Sequence, residues 1–291
     1  MAGIRSLTYA ELWRLAKWWM IHNGPRRDVT VETFNGLLSF DSRNWLIGKY
    51  LYVKRSHEDH EIQEVGALLR SLGWLKPGGT VLNVGANIGM TCIALVKLGV
   101  FQRAIAVEPG PDNYRLLVKN VEQNGLAGQI ECLPFAFSST VAPLTFELSK
   151  HNSGDHRVRQ TNQPGFYKEE TRPTISVPGE TLDHYFAGKP DAVDVIWADI
   201  QGHEGHLLRG GRDFLRRGIP VVTEFWPYGL GRSGVTPEEF VGILAQSFSH
   251  FWVIGRPEFD RAPITDVRKV FALYEGPRSF GMLVLAPKNS R

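Results

Sequence analysis

A glycine-containing turn near the middle of the chain has the residue types that hold a nucleoside. The apolar segment 81–84 runs directly into the turn Gly85-Ala86-Asn87-Ile88-Gly89, and the next apolar segment, 104–107, ends on Glu108. Glycines let the backbone approach a ligand closely because they lack Cβ atoms. A carboxylate at the tip of the second strand can accept hydrogen bonds from both ribose hydroxyls. The pattern therefore predicts a nucleoside pocket.

The spacing of the glycines distinguishes a turn that binds a dinucleotide from one that binds S-adenosylmethionine. Dinucleotide-binding turns read Gly-x-Gly-x-x-Gly and direct a helix N-terminus at a pyrophosphate. Here the spacing is Gly85-x-Asn87-x-Gly89, and the polar Asn83 lies near the end of the preceding strand. This form is typical of turns that hold the amino-acid end of S-adenosylmethionine. A carboxylate at position 108 would repel the 2′-phosphate of NADP but would tolerate NAD. A nicotinamide-dependent oxidoreductase therefore stays open as an alternative.

Polar side chains end four of the predicted strands. They are Asn83, Glu108, Asp199 and Glu224. Ligands of open α/β sheets bind beyond the carboxyl ends of the strands, where the strand order reverses. We therefore expect these four side chains to share one pocket.

The elements around these residues predict an α/β fold. Apolar strands at 81–84, 104–107, 130–136, 193–198, 219–225, 251–254 and 282–286 alternate with helical patterns. This alternation predicts a mostly parallel, seven-stranded sheet with helices on both faces. Segments 144–148 and 174–177 are expected to form antiparallel extensions around a polar insertion. We assign residues 76–291 to this domain.

Residues 1–75 are predicted to form an extension with one helix and a small β-hairpin. A capping box, Thr8-Tyr9-Ala10-Glu11, opens a helix that runs to about Met20. Its expected apolar face contains Leu12, Leu15, Ala16 and Trp19. A hairpin of residues 31–34 and 37–40 and a strand near 50–53 follow. We expect the tryptophan-rich helix to pack on the main domain or on a second copy in a homodimer; peripheral contact with a membrane stays open.

Composition excludes some classes of function. With 33 Lys and Arg against 30 Asp and Glu, the formal charge of +3 does not indicate a nucleic-acid surface. No stretch approaches the ~18 apolar residues that a spanning helix needs. Residues 1–6 lack the basic-then-apolar layout of a signal peptide. We expect a cytoplasmic protein that acts on a small molecule or a glycan.

These motifs resemble the FkbM family of S-adenosylmethionine-dependent methyltransferases, which have a Rossmann-like class I fold. The matching residues are 81–89, 106–109, 181–183, 194–204 and 221–224, with Asn113, Tyr114 and Asn120. The most diagnostic part is Asp199-Ile200-Gln201-Gly202-His203-Glu204, an Asp-x-x-Gly-x-Glu element after the fourth strand.

The resemblance implies a set of cofactor-binding positions. The methionine end would lie against Asn83, Gly85, Ala86, Asn87 and Gly89. Glu108, followed by Pro109, would bind the ribose, Ala136 and Phe137 would flank the adenine, and Asp199 would lie near the transferred methyl group.

The expected reaction is in-line transfer of a methyl group to a hydroxyl of a small metabolite, sugar or natural product. Asp199 or His203 is the candidate base, with Glu204 and Glu224 as further catalytic candidates and no metal. The polar segment 151–157, with Asn152, Asp155, His156 and Arg157, and Trp226 are expected to contact the acceptor.

Two positions depart from the family pattern. Asn83 and Gln201 stand where such enzymes usually have Asp and Glu. A cofactor-binding module that has lost methyl transfer therefore stays open as an alternative.

Overall fold

The structure is a computed structural model that describes residues 8–150, 152–189 and 192–289. Residues 1–6, which were interpreted as lacking a signal peptide, lie outside the described residues. The first residue of the polar segment 151–157 lies outside them too. None of the described helices combines the length and the apolarity that crossing a membrane requires.

Eleven α-helices and fifteen strands are assigned in the described residues. The helices are α1 (Tyr9–Asn23), α2 (Trp45–Lys49), α3 (Asp59–Ser71), α4 (Met90–Lys97), α5 (Pro111–Gln123), α6 (Leu182–Tyr185), α7 (Glu204–Arg209), α8 (Arg212–Leu215), α9 (Pro227–Arg232), α10 (Pro237–Ser247) and α11 (Val267–Phe271). The strands are β1 (Asp28–Thr33), β2 (Gly36–Asp41), β3 (Thr80–Val84), β4 (Arg103–Val107), β5 (Ile130–Leu133), β6 (Ala136–Phe137), β7 (Leu144–Glu147), β8 (Arg157–Val158), β9 (Thr174–Val177), β10 (Gly179–Glu180), β11 (Val195–Ala198), β12 (Val221–Phe225), β13 (Phe248–Val253), β14 (Ala262–Pro263) and β15 (Gly281–Pro287).

The central sheet has the strand order β14-β13-β15-β12-β11-β3-β4-β5. Strands β12, β11, β3, β4 and β5 are mutually parallel, while β15 runs antiparallel between β12 and β13. The predicted mostly parallel, Rossmann-like sheet is confirmed, but it has eight strands rather than seven. The prediction missed β14 because a strand of two residues has no readable alternation.

Strand order reverses between β3 and β11, since the chain leaves β3 for β4 on one side and later returns to β11 on the other. Successive side chains of a strand point to opposite faces of a sheet. Val81 accordingly packs in the hydrophobic cluster on one face and Leu82 in the cluster on the other. Both faces of the sheet are covered, and the polar strand ends meet at the reversal point.

Two predicted strands were wrong. The segment expected as a strand near 50–53 is a π-helical turn, Tyr50–Lys54, that continues directly from α2. The segment expected as one strand over 130–136 divides, because β5 ends at Leu133 and β6 pairs instead with β10. Pro134 lies between the two and has no N–H to continue a ladder.

The polar insertion is a small sheet of its own. Strands β8, β7 and β9 form an antiparallel sheet in that order, which confirms the predicted antiparallel pairing of 144–148 with 174–177. Its apolar side chains form a separate small cluster that includes Phe146 and Val177.

The N-terminal extension shares the core of the main domain. The cluster on one face of the sheet includes Trp18, Leu38 and Ile62 together with Val81 and Leu117. The division at residue 75 stays a prediction.

The main domain covers only part of the expected apolar face of α1, where Leu15 packs against the core. The residue of α1 that is fully buried is Trp18, which packs against Phe40, Trp45 and Tyr52. Leu12 and Trp19, from the expected face, are exposed. The aromatic contacts of Trp18 fix the rotation of the helix, so much of its expected apolar face points outward.

Asn120 links the N-terminal hairpin to the turn after β3. Its amide accepts from Ser39 N (2.7 Å) and donates to Ser39 O (3.0 Å) and Ile88 O (2.8 Å), and its side chain is fully buried. Replacing Asn120 by leucine leaves these backbone groups unpaired. We expect the free energy of unfolding to fall by about 2–4 kcal/mol in urea titrations. Gln129→Ala, at an exposed amide, is the matched control, and equal loss in both variants would contradict this role.

Candidate active site

A cleft of about 1000 Å³ opens at the carboxyl ends of the central strands. That volume is at the upper end of the ~300–1,000 Å³ typical of small-molecule sites. Its walls come from the turn after β3, the ends of β4, β11 and β12, the polar insertion and the N-terminal extension. The cleft is therefore large enough for two ligands placed side by side.

The turn after β3 is held against the end of β11. Gly85 has φ +81°, and a Cβ there would lie 1.8 Å from the Asp199 carbonyl oxygen. Gly85 N and Ala86 N both donate to Val107 O, at 3.0 and 2.9 Å. Because glycine has no side chain, the turn can contact the Asp199 backbone directly at position 85.

Gly89 has a different role from the one implied by the resemblance. It precedes α4 with φ +92°, and a Cβ there would lie 2.9 Å from Ile93 and Leu117 atoms. It is absent from the residues that line the cleft. Within the described structure, Gly89 allows α4 and α5 to pack closely.

Glu108 lies at the base of the cleft with 4% of its surface exposed. Its two carboxyl oxygens accept hydrogen bonds from Asn87 N (2.9 Å) and Gly110 N (2.8 Å). Burial raises the pKa of Glu108 to about 7, although both backbone N–H groups act in the opposite direction. Each oxygen keeps a lone pair for a further donor.

Two amide oxygens at the turn have no partner among the described residues. Asn83 is 2% exposed, and its amide nitrogen donates to Trp197 O (3.3 Å) while Oδ1 is unpaired. Asn87 Oδ1 is also buried and unpaired, in a residue with φ +51°. A buried unpaired acceptor is costly. Both oxygens therefore suit a ligand that brings N–H donors, such as an ammonium group.

The remaining cofactor candidates lie together in one part of the cleft. Pro109, Ala136 and Phe137, which the resemblance assigns to cofactor binding, line the cleft. Phe137 is 1% exposed and packs mainly in the core. Phe135, which the sequence analysis did not select, is half-buried beside it with ring centroids 5.1 Å apart.

Asp199 and Glu224 form a pair of carboxyls bridged by one amide. Gln201 Nε2 donates to Asp199 Oδ1 (2.8 Å) and to Glu224 Oε2 (3.0 Å). Burial raises the pKa of Asp199, with Gln201 and Glu224 opposing it. Burial and the charge of Asp199 raise the pKa of Glu224 well above its usual range. Burial therefore favours one shared proton on this pair, which leaves one carboxylate able to accept a proton.

Glu204 supports the loop that carries Asp199. Its Oε1 accepts from Ile200 N (3.1 Å) and Gly202 N (3.3 Å), and the side chain is 1% exposed. Burial raises the pKa of Glu204 to about 7. It is not among the cleft-lining residues, so its contacts are those of a positioning residue.

His203 lies deeper than a general base normally does. Its side chain is 1% exposed, Nε2 lies 2.9 Å from Ser138 Oγ, and Nδ1 lies 3.2 Å from Ser233 Oγ. Burial lowers the pKa of His203 well below its usual value. With both ring nitrogens engaged, this imidazole is less suited than Asp199 to take a proton from a ligand.

Glu58 is a site residue that the sequence analysis missed. It precedes α3 with φ +53°, lines the cleft from the N-terminal extension, and faces the acidic pair. Burial and the charges of Asp199 and Glu61 raise the pKa of Glu58 to about 8. No local pattern identifies it, because it lies in a run of charged residues that looks like an ordinary helix start.

Among the described residues, no group of three or more His, Cys, Asp or Glu is arranged to hold a metal ion.

All five predicted acceptor contacts line the cleft: Asn152, Asp155, His156, Arg157 and Trp226. Arg157 is 5% exposed, with its guanidinium carbon 4.9 Å from the centre of the Trp226 ring. It pairs with Asp155 (2.5 Å), which also pairs with Arg172. Buried charges are held in place when each has a partner. This side of the cleft is therefore a fixed wall rather than a solvated loop.

His156 is part of the same wall. Its Nδ1 accepts a hydrogen bond from Ser149 N (2.9 Å), so Nε2 bears the proton. Burial and the neighbouring Arg172 lower the pKa of His156 to about 4. It is therefore a neutral donor at physiological pH.

Comparison with known families gives one match over most of this region. The model of the family described as "Methyltransferase FkbM domain" matches residues 83–250, more than half of the chain. This range contains the glycine turn, Glu108, the polar insertion, Asp199 and Glu224.

Two curated relatives and one solved structure illustrate the similarity. The chain is 38% identical over 58 residues to ribosomal protein L11 methyltransferase of Pelotomaculum thermopropionicum, covering 20% of this chain and 18% of that protein. It is 23% identical over 162 residues to 2-O-methyltransferase NoeI of Sinorhizobium fredii, covering 52% and 64%. The chain thus spans less than two thirds of either relative. A SAM-dependent O-methyltransferase structure from Thermotoga maritima shares 14% identity and a TM-score of 0.42, covering 90% of this chain and 78% of that one.

Proposed function

The chain belongs to the FkbM family of S-adenosylmethionine-dependent methyltransferases, and from that premise we propose that it methylates a hydroxyl group of a small metabolite, sugar or natural product. The observation that carries this proposal is the Asp199–Gln201–Glu224 arrangement in the lining of the cleft. An alcohol must lose its proton when it is methylated, whereas the departing thioether needs no assistance. A carboxylate with a raised pKa suits that task.

The residues around the glycine turn fit the cofactor. Glu108 has free lone pairs for a ribose diol, and the unpaired Asn83 Oδ1 suits the ammonium group. Bound there, S-adenosylmethionine would supply an electrophilic methyl group on a sulfonium. An amide oxygen replaces the usual carboxylate at Asn83, and a charge-assisted bond is typically worth ~1–2 kcal/mol more than a neutral one. Weaker cofactor binding is compatible with activity.

The chain contributes alignment and proton removal. Fixing the acceptor against the methyl group supplies about 7–11 kcal/mol of the barrier reduction. Asp199 accepts the hydroxyl proton, while Gln201 orients the carboxyls of Asp199 and Glu224 by donating to both. Arg157, Trp226 and the neutral His156 would contact the rest of the acceptor.

Glu58 completes the acceptor side. Its pKa is raised by burial and by the charges of Asp199 and Glu61, and in its protonated form it can donate a hydrogen bond to an acceptor hydroxyl. Three carboxyls and a neutral imidazole around one space suit a polyhydroxylated ligand. The relative NoeI is, by its name, a 2-O-methyltransferase, and this supports oxygen as the methylated atom.

The proposal is tested by turnover with S-adenosylmethionine carrying an isotopically labelled methyl group. Matched sets of polyols, sugars and amines are offered, and nuclear magnetic resonance of the product identifies the atom that bears the label. We expect the label on oxygen. A label on nitrogen would contradict the proposal, whereas turnover of any acceptor would remove the alternative of a module without catalysis.

Cofactor affinity is expected to depend on pH through Glu108. The ionised carboxylate accepts both ribose hydroxyls, and its pKa is raised to about 7. Affinity for S-adenosylhomocysteine should therefore fall about tenfold between pH 8 and pH 6, as Glu108 becomes protonated. Calorimetry over this range measures the effect. The Glu108→Gln variant should bind weakly with little dependence on pH, and an equal slope in both proteins would contradict the assignment.

A further inference from the structure

The outward face of α1 is apolar from Tyr9 to Met20. Five large side chains of this helix are between 51% and 90% exposed: Tyr9, Leu12, Trp13, Trp19 and Met20. With the exposed Ala16 they are spaced by three, four or seven residues, so they form one stripe on one side of the helix. Contiguous apolar surfaces of this kind usually mark an interaction site.

The stripe cannot turn inward. Trp18 is fully buried on the opposite side, against Phe40, Trp45 and Tyr52. The capping box of Thr8 and Glu11 fixes the start of the helix, and Glu11 also pairs with Lys54 (2.9 Å). The apolar face is therefore held outward by contacts that bury the other face.

The segment of the chain that contains this helix has an excess of positive charge. Residues 8–57 contain eight Lys and Arg but four Asp and Glu, although the whole chain has a formal charge of only +3. Lys17, Arg27 and Lys49 form no ion pair with any other described residue. Lys17 lies at the edge of the stripe, with Nζ 5.0 Å from the centre of the Trp13 ring. Aromatic and apolar residues flanked by unpaired cations are typical of helices at a membrane interface.

We propose that α1 docks on the surface of a bilayer that contains anionic lipids. The tryptophans would lie at headgroup level, and the flanking cations would contact lipid phosphates. A second copy of this chain fits less well, because a symmetric dimer would bring two positively charged segments together. Thr8, Glu11, Leu46 and Tyr50 line the cleft, so the docked helix would begin at the rim of the active site.

Co-sedimentation of the full chain with vesicles tests this proposal. Vesicles of equal parts phosphatidylglycerol and phosphatidylcholine should bind the wild type. The double variant Trp13→Glu/Trp19→Glu should bind at least about tenfold more weakly. The matched control, Leu98→Glu/Val141→Glu, changes two residues that are also exposed (47% and 56%) but lie outside α1, and it should bind like wild type. Circular dichroism and thermal melts check that all variants are folded.

Three results would overturn the proposal. The first is absence of wild-type binding to the mixed vesicles, and the second is equal binding of the α1 variant and the control. The third is wild-type binding to pure phosphatidylcholine vesicles that is as strong as binding to the mixed vesicles.

Sedimentation velocity measures the oligomeric state of the wild type and of the α1 variant. A wild-type dimer that the α1 variant converts to a monomer, with no vesicle binding, would assign the stripe to a second copy instead.

Discussion

Replacing Asp199 by asparagine is expected to lower kcat by about 10²–10⁴-fold, the usual contribution of a positioned general base. The amide keeps the shape of the side chain but cannot take the proton of an alcohol. Burial raises the pKa of Asp199, so in the wild type the same loss should appear as the pH falls and the carboxylate is protonated. Single-turnover rates with saturating cofactor measure the effect, once an acceptor is known.

Cofactor binding separates this effect from misfolding. Asp199→Asn should keep its affinity for S-adenosylhomocysteine within a few-fold, because the contact with Gly85 is made by the Asp199 backbone. Gln201→Ala is a useful companion, since it removes the bridging donor while leaving both carboxyls. A kcat for Asp199→Asn equal to that of the wild type would assign the base elsewhere.

Replacing Glu108 by alanine is expected to weaken binding of S-adenosylhomocysteine by about a hundredfold or more, because two charge-assisted hydrogen bonds to the ribose are lost. The change also removes the carboxylate whose two oxygens accept hydrogen bonds from Asn87 N and Gly110 N, so the turn loses both bonds. Isothermal titration calorimetry at pH 8, where the wild-type carboxylate is ionised, measures the difference.

Asp112→Ala is the matched control for Glu108→Ala. Asp112 is an acidic residue at the start of α5, with 75% of its side chain exposed. Its removal changes the net charge by the same amount close to the site, and affinity should stay near the wild-type value. Equal losses in the two variants would attribute the effect to long-range charge rather than to ribose contact.

The grouping of polar residues at the strand ends was predictable from the sequence because its determinants are local. The turn Gly85–Gly89 follows a strand directly, and Glu108 follows the next strand, so short-range pattern and parallel topology bring them together. Asp199 and Glu224 were predicted by the same argument. Each of these residues lies at or near the end of a central strand, and all of them line the cleft except Ile88 and Gly89.

Features that depend on long-range packing were not predictable. Glu58 reaches the cleft only because the N-terminal extension packs across the strand ends. The rotation of α1 depends on Trp18, whose burial requires partners from β2, α2 and the π-helical turn. Periodicity identified an apolar face but could not show whether the fold would cover it.

The role of Gln201 also became clear only from the structure. In the sequence, Gln201 occupies a position where the resembling enzymes usually have Glu. In space its amide donates to Asp199 and Glu224 together, with φ +55°. A glutamate there would add a negative charge beside two carboxyls, whereas the amide stabilises them. The ion pairs of Arg157 with Asp155, two residues away, and with Glu147 of the neighbouring strand β7 were not predicted either, because the sequence does not show that these charges are buried.

A crystal structure of the protein with S-adenosylhomocysteine tests the proposed cofactor site most directly. We expect both ribose hydroxyls within about 3 Å of the Glu108 carboxyl oxygens. We also expect the ammonium group beside Asn83 Oδ1 and the sulfur directed toward Asp199. A ligand whose ribose does not touch Glu108, or whose sulfur points away from the Asp199–Glu224 pair, would contradict the proposed site.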